Sequence, residues 1–490
     1  MPALSPPADN ADTGTPGGGT VRDRLLVPVA GLCLLVGTAA YLMVFTMLDQ
    51  IGASLHASGA LLGWIVVATI ITGTVCAALF PALGAVLGQR RLMTAAMACL
   101  GLGSLVSAAA PDAVTLLAGR IIAAPGFAAT AVSIATVREH RSSPDLPRAI
   151  SGIAAFEGAA AGVGFALGGA VEQAAGGDWR SVFVAMAAIC AITAVLSAAV
   201  LPAGTAEVRR ADVPGALLLA GGLVAALLPI TEGATWGWTS SRVAGLLAGA
   251  VVLLTAWAVT ELRLTDPLVR LGILARPGVA GGILLFLITE ATVSVINLTV
   301  PSFLEAPATA GYGFAASVLD TGLAMLPFSL AITVAGFGAA RLAGRASPRL
   351  IAVAGLTCEA VALGLLTGFD HSAAQVVILV AVFGAGHGAT VAAMFVILTR
   401  AVPPAAAGPA SGLASAGSGV SGAVLSAVTT ALLTSRLVRA GPVTLPATAG
   451  YTRAWLCGAL VAAAAAMTVA VMAYLARTAP NTVRAGYGGS

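Results

Sequence analysis

Charged side chains inside long apolar stretches are the residues of this sequence whose chemistry is most informative. Glu290 lies within LFLITEATVSVINLTV (285–300), and Arg120, Glu157 and Glu359 lie within comparable apolar stretches. A charge at the centre of a membrane helix costs roughly 3 kcal/mol on insertion scales, so such a residue normally faces a cavity or a partner. These side chains are therefore the first candidates for proton transfer or ligand binding.

The composition indicates which environment surrounds those charges. Of 490 residues, 58% are hydrophobic and only 9% are charged, whereas soluble domains carry about a quarter charged residues. We therefore expect an all-α protein of the lipid bilayer. The formal net charge of +4 is too small to neutralise many phosphates, so nucleic acid is not an expected partner.

The sequence offers no recognisable catalytic or metal centre. The six cysteines lie in apolar stretches at no ligand-like spacing, and none of the four histidines belongs to an HxxH or HExxH pattern. The phosphate-binding pattern GxxxxGK[ST] is also absent, so ATP is not expected to drive the protein directly. We expect no enzymatic activity and no cofactor.

Helix length and arginine placement predict the membrane topology. A bilayer core requires about 20 apolar residues of helix, and the chain contains fourteen such stretches. With the N-terminus inside, eighteen arginines fall on the cytoplasmic side and five outside, as expected when basic residues stay in the cytoplasm. Both termini are then cytoplasmic.

Residues 1–22, rich in Pro, Gly, Asp and Thr, are predicted to be a disordered tail, and residues 478–490 are predicted to be a second tail.

A weak internal repeat predicts two related halves. At an offset near 260 residues, Gly152 aligns with Gly412 and Gly162 with Gly422. Repeats in the same direction imply an axis along the membrane normal. The offset exceeds six helices with short loops, and the helix pair between 213 and 262 accounts for the excess.

The domain boundaries follow from this repeat. We predict an N-terminal six-helix bundle over 23–203 and two inserted transmembrane helices with their linkers over 204–277. A C-terminal six-helix bundle then covers 278–477.

Several sequence motifs resemble one family along nearly the whole chain. They are ADVPGALLLAGG, TEGATWGWTSS and ELRLTDPLVRL around the inserted pair, and LLAGRIIAAPGFAA, GVGFALGG, GDWRSVF, YGFAASVLDTGLAMLP and GAGHGA elsewhere. The sequence is thereby similar to the fourteen-helix drug:proton antiporter branch of the major facilitator superfamily. This resemblance implies a monomeric multi-pass transporter of the bacterial plasma membrane. Its expected activity is export of small amphipathic or hydrophobic, antibiotic-like compounds by proton antiport with rocker-switch alternating access.

Two other functions stay open. The chain could be a dedicated exporter of one endogenous metabolite or lipid-like product, because its cytoplasmic motif departs from the family pattern and the acidic residue often seen in the family's first helix is missing near Ala40. A non-transporting membrane sensor or scaffold is the alternative from another class.

The resemblance also identifies a conformational motif, with departures from the family pattern. The loop PALGAVLGQRRLM has Ala85 where the family usually has aspartate, and GVGFALGG has Phe165 where the family has proline. We expect the cytoplasmic charge pairs of the family to be weaker here. The residues retained from the motif and its counterpart in the second half are Gly88, Arg90, Arg91, Gly164, Gly168, Gly169, Arg345 and Arg349.

Glu290 has the most informative neighbours in sequence. Ser294 and Asn297 follow at i+4 and i+7, so all three share one helix face. We expect this polar face to line a central cavity in which Glu290 carries a proton or binds substrate; a structural hydrogen bond between helices is the alternative. His387 is predicted at a similar depth on a facing helix, where it would share a proton with Glu290 or be a packed histidine.

The other charges divide by position. Arg120 matches the family's fourth-helix arginine, which the resemblance links to proton coupling, and Pro125 is expected to kink that helix. Glu157 is a second coupling candidate, about 12 Å in depth from Arg120. Glu359 is predicted to be a locally hydrogen-bonded carboxyl on a peripheral helix, and Asp320 an interfacial residue.

The missing aspartate gives the first testable prediction. Ala85→Asp should strengthen the cytoplasmic gate and change the balance between inward-facing and outward-facing states. The measurement is the labelling rate of a cysteine probe placed on the cytoplasmic side. An unchanged labelling rate would count against a gating role for this loop.

Overall fold

The structure is a computed structural model that describes residues 21–44, 47–57, 59–140, 146–203, 212–264, 272, 277–343, 345–401, 407–440 and 443–478. Residues 1–20 of the predicted N-terminal tail, most of both linkers flanking the inserted pair, and the C-terminal tail after 478 lie outside the described residues. Within the described residues the chain is helical apart from one short hairpin.

The helices follow one another with short connections. The first eight are α1 (Val21–Leu42), α2 (Leu48–Leu55), α3 (Gly59–Leu87), α4 (Gln89–Ala108), α5 (Ala113–Ala123), α6 (Ala129–His140), α7 (Leu146–Ala174) and α8 (Trp179–Val200). Next come α9 (Val213–Trp236) and α10 (Ser241–Arg263). The last six are α11 (Pro277–Glu305), α12 (Val318–Leu342), α13 (Pro348–Leu366), α14 (Ala373–Ala401), α15 (Ala407–Thr434) and α16 (Thr448–Thr478).

Twelve helices among the described residues are long and apolar enough to cross a membrane, so the chain is a multi-pass membrane protein. Two further helices, α3 and α7, contain shorter apolar segments at Val67–Phe80 and Phe156–Val171. The prediction of an all-helical membrane protein is confirmed. The count of fourteen spans stays a prediction.

The helix formed by α5 and α6 is broken where the sequence predicts a kink. Asp112 caps α5 by accepting the backbone N–H of Thr115 at 2.8 Å, and this hydrogen bond lowers the pKa of the exposed Asp112 carboxyl. Residues Ala124–Ala128 then form a 3₁₀ turn that contains Pro125. Because proline lacks the backbone donor of a regular helix, the α-helix is interrupted at the position where the sequence predicts a kink.

Small residues bring α7 and α12 into close contact. The Gly162 backbone N–H donates to Ser329 Oγ at 2.7 Å, and an added Cβ on Gly169 would lie 2.9 Å from the backbone of Leu319. Membrane helices associate through such small-residue faces because lipid supplies no hydrophobic driving force between them. The contact joins the predicted N-terminal bundle to the predicted C-terminal bundle.

The inserted pair packs on both predicted bundles. Leu219 and Leu223 of α9 and Trp257 of α10 form a buried cluster with Ala78 of α3, against which Val420 of α15 packs. The outward side of α10 keeps large apolar residues exposed, among them Val251 and Val252. The pair therefore covers the α3–α15 contact on one side and presents lipid-compatible surface on the other.

Aromatic residues close the ends of α11 and α16 that lie beside the hairpin. Phe303 packs against Tyr312, Tyr451 and Trp455, with ring centroids 5.2 to 5.4 Å apart. The Tyr312 hydroxyl donates to the Pro446 carbonyl in the antiparallel hairpin β1 (Leu437–Ala440) and β2 (Val443–Pro446). Burial raises the pKa of Tyr312, so the phenol keeps its proton and this hydrogen bond at neutral pH.

The α7–α12 contact predicts an asymmetric response to glycine substitution. In Gly322→Ala the new Cβ would lie 2.8 Å from the backbone of Ala166, and such overpacking costs about 1–3 kcal/mol. In Gly338→Ala, on the same helix, the Cβ meets nothing within 4 Å, and alanine should stabilise the helix by up to about 1 kcal/mol. Thermal unfolding in detergent tests both variants. Equal stability would show that the two helices are not in close contact here.

Candidate proton and substrate site

The predicted polar face of α11 is present. Glu290, Ser294 and Asn297 are each partly exposed, whereas the intervening Thr289 and Thr292 are buried. Ser294 donates to the carbonyl of Ala291 at 2.7 Å, and Asn297 Oδ1 has no hydrogen-bond partner. The helical period thus separates α11 into one accessible polar face and one packed face.

The packed face of α11 holds the carboxyl of Glu359. Thr292 Oγ1 donates to Glu359 Oε2 at 2.6 Å, joining α11 to α13. The Glu359 side chain is fully buried, and its other oxygen, Oε1, lies 4.0 Å from Nδ1 of His387 on α14. Both Glu359 Oε1 and His387 Nδ1 lack a hydrogen-bond partner. Glu359 is therefore bonded to another helix, and the predicted local hydrogen bond is replaced by an interhelical one.

Glycines allow Glu359 and His387 to approach each other. An added Cβ on Gly355 of α13 would lie 2.6 Å from the Gly386 carbonyl of α14, and one on Gly386 would lie 3.1 Å from the backbone nitrogen of Glu359. The backbones of α13 and α14 are thus close at this level. Thr390 also approaches the Glu359 carboxyl, but its hydroxyl donates to the Gly386 carbonyl at 2.9 Å.

A small cavity places Glu157 opposite His387. Its volume is about 40 Å³, and its lining includes Glu157 and Gly158 of α7, Ile332 of α12, and His387 and Val391 of α14. A polar cavity above about 15 Å³ can hold water, whereas drug-sized ligands occupy pockets of about 300–1,000 Å³. Most of its lining is apolar, with Glu157 and His387 as the ionisable members; it is large enough for a water molecule and too small for a drug-like molecule.

Glu290 is within electrostatic range of two other glutamates. Its carboxyl interacts electrostatically with Glu157 across the contact between the predicted bundles and with Glu359 on α13. We call Glu157, Glu290, Glu359 and His387 the carboxyl–histidine cluster. Like charges at short range cannot all ionise without a large energetic cost, so the cluster is suited to holding protons.

Arg120 lies apart from this cluster. Its side chain is 2% exposed, and Nη1 donates to the Ala40 carbonyl of α1 at 3.2 Å, while Nε has no hydrogen-bond partner. The Arg120 guanidinium interacts electrostatically with the Tyr41 hydroxyl. The structure thus gives Arg120 no direct ion pair with Glu157, as the depth difference predicted.

The residues of the conformational motif occupy helix ends and packing faces. Gly88 has a φ of +87° at the junction of α3 and α4, a conformation that favours glycine. Gly164 packs against Ala39 of α1, and Gly168 and Gly169 are buried. The charged members lie at the surface or partly exposed: Arg90, Arg91, Arg345 and Arg349.

Asp320 belongs to neither the cluster nor the motif. It is exposed and forms a capping box with Ser317 at the start of α12. The sequence missed other residues: Thr292, which holds Glu359, and Glu261, a buried carboxylate that accepts the Trp257 Nε1–H at 3.0 Å. Among the described residues no group of three or more metal-ligating side chains occurs.

Comparison with known proteins fits this arrangement. The profile of the Major Facilitator Superfamily matches residues 30–426, so the chain belongs to that superfamily. The puromycin resistance protein pur8 of Streptomyces alboniger is 32% identical over 299 residues, which are 59% of this chain and 56% of pur8. The chain thus spans little more than half of that relative.

A longer match and a solved structure extend the comparison. The multidrug resistance protein Stp of Mycobacterium tuberculosis is 28% identical over 80% of this chain and 72% of its own length. The crystal structure of the human organic anion transporter MFSD10 matches 92% of this chain and 100% of its own with a TM-score of 0.62 at 17% identity. This structural similarity concerns the fold alone.

The hydrogen bond from Thr292 to Glu359 gives a stability prediction. Thr292→Val leaves a buried carboxyl oxygen without its donor, which should lower the free energy of unfolding by about 1–3 kcal/mol. Thr289→Val is the matched control, because Thr289 donates only to the Leu285 carbonyl of its own helix; its effect should be within about 0.5 kcal/mol. Thermal unfolding in detergent compares the two, and equal losses would remove the interhelical bond as a stabilising contact.

Proposed function

We propose that this protein is a secondary active transporter that exports small amphipathic or hydrophobic, drug-like compounds in exchange for protons. The observation that carries the proposal is Glu290. It lies on a partly exposed polar face of α11 and interacts with Glu157 across the contact between the two predicted bundles. A carboxyl at that contact changes its surroundings whenever the bundles move relative to each other.

Proton exchange follows from that position. When the polar face of α11 opens to one compartment, water solvates the Glu290 carboxylate and favours loss of the proton. When the helices close around it, the cost of burying the charge favours proton uptake. In this mechanism the two six-helix bundles rock about a central site, and the proton gradient supplies the energy.

The proposed membrane arrangement completes the mechanism. Fourteen spans form six helices, two inserted helices and six helices, with both termini in the cytoplasm and the protein a monomer in the bacterial plasma membrane. The pair α9 and α10 lies against α3 and α15, outside the site itself. The arginine distribution described above supports this orientation.

The cargo is inferred from two kinds of support. Relatives carry the names puromycin resistance protein and multidrug resistance protein, and the apolar residues Val293 and Leu298 of α11 are partly exposed beside Ser294 and Asn297. Apolar walls recognise ligands by size and shape, which suits several substrates. Because one relative is named for a single antibiotic, export of one dedicated compound is the second candidate.

Flux measurements test the proposed function. When a transported compound is supplied outside liposomes that contain the purified protein, exchange should move protons out of the lumen, and trapped pyranine should report a rise in lumenal pH that is absent without the compound. A panel of puromycin, other antibiotics and lipophilic dyes separates the candidates: responses to many compounds support multidrug export, and a response to one supports a dedicated exporter. Absence of compound-dependent proton flux across the panel would support the sensor or scaffold function.

Glu290→Gln should abolish proton-coupled transport while leaving membrane insertion intact. The amide keeps the size and hydrogen bonding of the side chain but cannot exchange a proton, and loss of a positioned proton carrier lowers rates about 10²–10⁴-fold. Glu232→Gln is the matched control, because Glu232 lies on α9 and accepts from Thr235 of the same helix. Wild-type proton flux in Glu290→Gln would remove this residue from the mechanism.

A further inference from the structure

We infer that Glu359 and His387 form a second proton-holding pair, connected to Glu157 through the small cavity between α7, α12 and α14. The inference rests on the proposed function, which it deepens by assigning a proton route through helices outside the polar face of α11. Its basis is the geometry of three buried or partly buried side chains from three helices.

The two facing atoms of the pair can share one proton. Glu359 Oε1 and His387 Nδ1 are 4.0 Å apart and each lacks a hydrogen-bond partner. The shared proton can occupy either atom. On Oε1 it gives a carboxylic acid beside a neutral imidazole, and on Nδ1 it gives a carboxylate beside an imidazolium. A shift of about 1 Å would bring the two atoms to hydrogen-bond distance.

The surroundings hold this pair in place. Thr292 fixes Oε2 of the same carboxyl from α11, so Oε1 remains directed toward α14. The His387 ring stacks on Phe383 one turn away, with centroids 6.2 Å apart and an angle of 19° between the planes. The glycines Gly355 and Gly386 keep the helix backbones close. A histidine that serves only to pack the helices would not require a carboxyl oxygen held near its ring nitrogen.

The ionisable neighbours of the pair are all acidic. Glu290 of α11 interacts electrostatically with Glu359, and Glu157 of α7 lines the same cavity as His387. From α12 the cavity receives Ile332 and Gly336, and α14 contributes Thr390 beside Glu359. On α16, Gly458 packs against Leu363 of α13. Among the described contacts of the pair there is no arginine, so a proton is the cation that balances its charge.

The cavity completes a route between the bundles. It is lined by both His387 and Glu157 and is large enough for water. An imidazole that accepts a proton on one ring nitrogen can release one from the other. A proton leaving Glu359 can therefore reach Nδ1 of His387, and the proton released from Nε2 can pass through water to the Glu157 carboxylate. Because α7 belongs to the other predicted bundle, motion between the bundles makes or breaks this route.

Infrared spectroscopy tests the pair without any substrate. The carboxyl band of the purified full-length protein is followed as the pH is changed. One titrating component of the wild-type band should be missing in Glu359→Gln. In His387→Gln that component should stay, with its midpoint moved by about one pH unit or more because the two sites are coupled. Glu261→Gln, which changes another buried glutamate, on α10 and bonded to Trp257, should leave this component as in wild type.

Transport gives the second readout. With puromycin or the most active compound of the panel, Glu359→Gln should lose uphill export driven by a proton gradient by about a hundredfold. Exchange of labelled for unlabelled compound at equal pH, which moves no net proton, should stay near wild type. A variant that is merely misfolded would lose both activities.

Two results would overturn the inference. One is an infrared titration of Glu359→Gln that superimposes on the wild type; the other is gradient-driven export that Glu359→Gln and His387→Gln both retain. If the wild-type protein transports no compound, the proposed function fails, and the infrared titration still decides whether the pair holds a proton. If Glu359→Gln does not fold, the midpoint in His387→Gln decides, and an unmoved midpoint contradicts the pair.

Discussion

A carboxylate cannot be left in hydrocarbon without water, a cation or a proton, and this chain places three carboxyl groups in the middle of its apolar helices. Glu290 and Glu157 remain partly accessible, whereas Glu359 is fully buried. None of the three has a described arginine partner, because Arg120 contacts Ala40 on α1 instead. The carboxyl groups are surrounded by the hydroxyl of Thr292, which donates a hydrogen bond to Glu359, by the imidazole of His387, and by a small cavity lined by Glu157 and His387. In the mechanism proposed above, bound protons neutralise the remaining negative charge of these carboxyl groups.

Glycine packing determines where those groups meet. Gly355 and Gly386 let α13 and α14 approach until Glu359 faces His387, and Gly158 and Gly162 bring α7 against α12 until Glu157 reaches the same region. The close helix contacts at these glycines and the carboxyl–histidine cluster therefore lie in the same region of the protein. A shift of α7 against α12 would alter the surroundings of Glu157 directly. In this way the packing that holds the predicted bundles together also links their relative motion to the protonation of the cluster.

Much of this arrangement is predictable from the sequence, and the failures have identifiable causes. The spacing of Glu290, Ser294 and Asn297 predicts the accessible face because it follows the helical period, and Pro125 predicts the break before α6. The repeat and motifs predict membership of the superfamily. The partner of His387 is different: the sequence suggested Glu290, and the structure brings Glu359 to 4.0 Å. Which residues meet between helices far apart in sequence depends on how each helix is rotated about its axis and how deep it lies in the membrane. Hydrophobic periodicity gives little information on either when a helix is apolar on all sides. Thr292 was missed because a threonine in a membrane helix usually bonds to its own backbone, as Thr292 also does through the Thr289 carbonyl.

The central claim is that the polar face of α11 meets water from each side of the membrane in turn. The most direct measurement is thiol labelling of Ser294→Cys, in a protein whose six native cysteines are replaced, using a membrane-impermeant reagent on inside-out and right-side-out vesicles. The mechanism predicts labelling from both sides, with the ratio between them changed by pH and by a transported compound. If this cysteine reacts only with a lipid-soluble maleimide and never with the impermeant reagent, the face is turned toward lipid and the mechanism is contradicted.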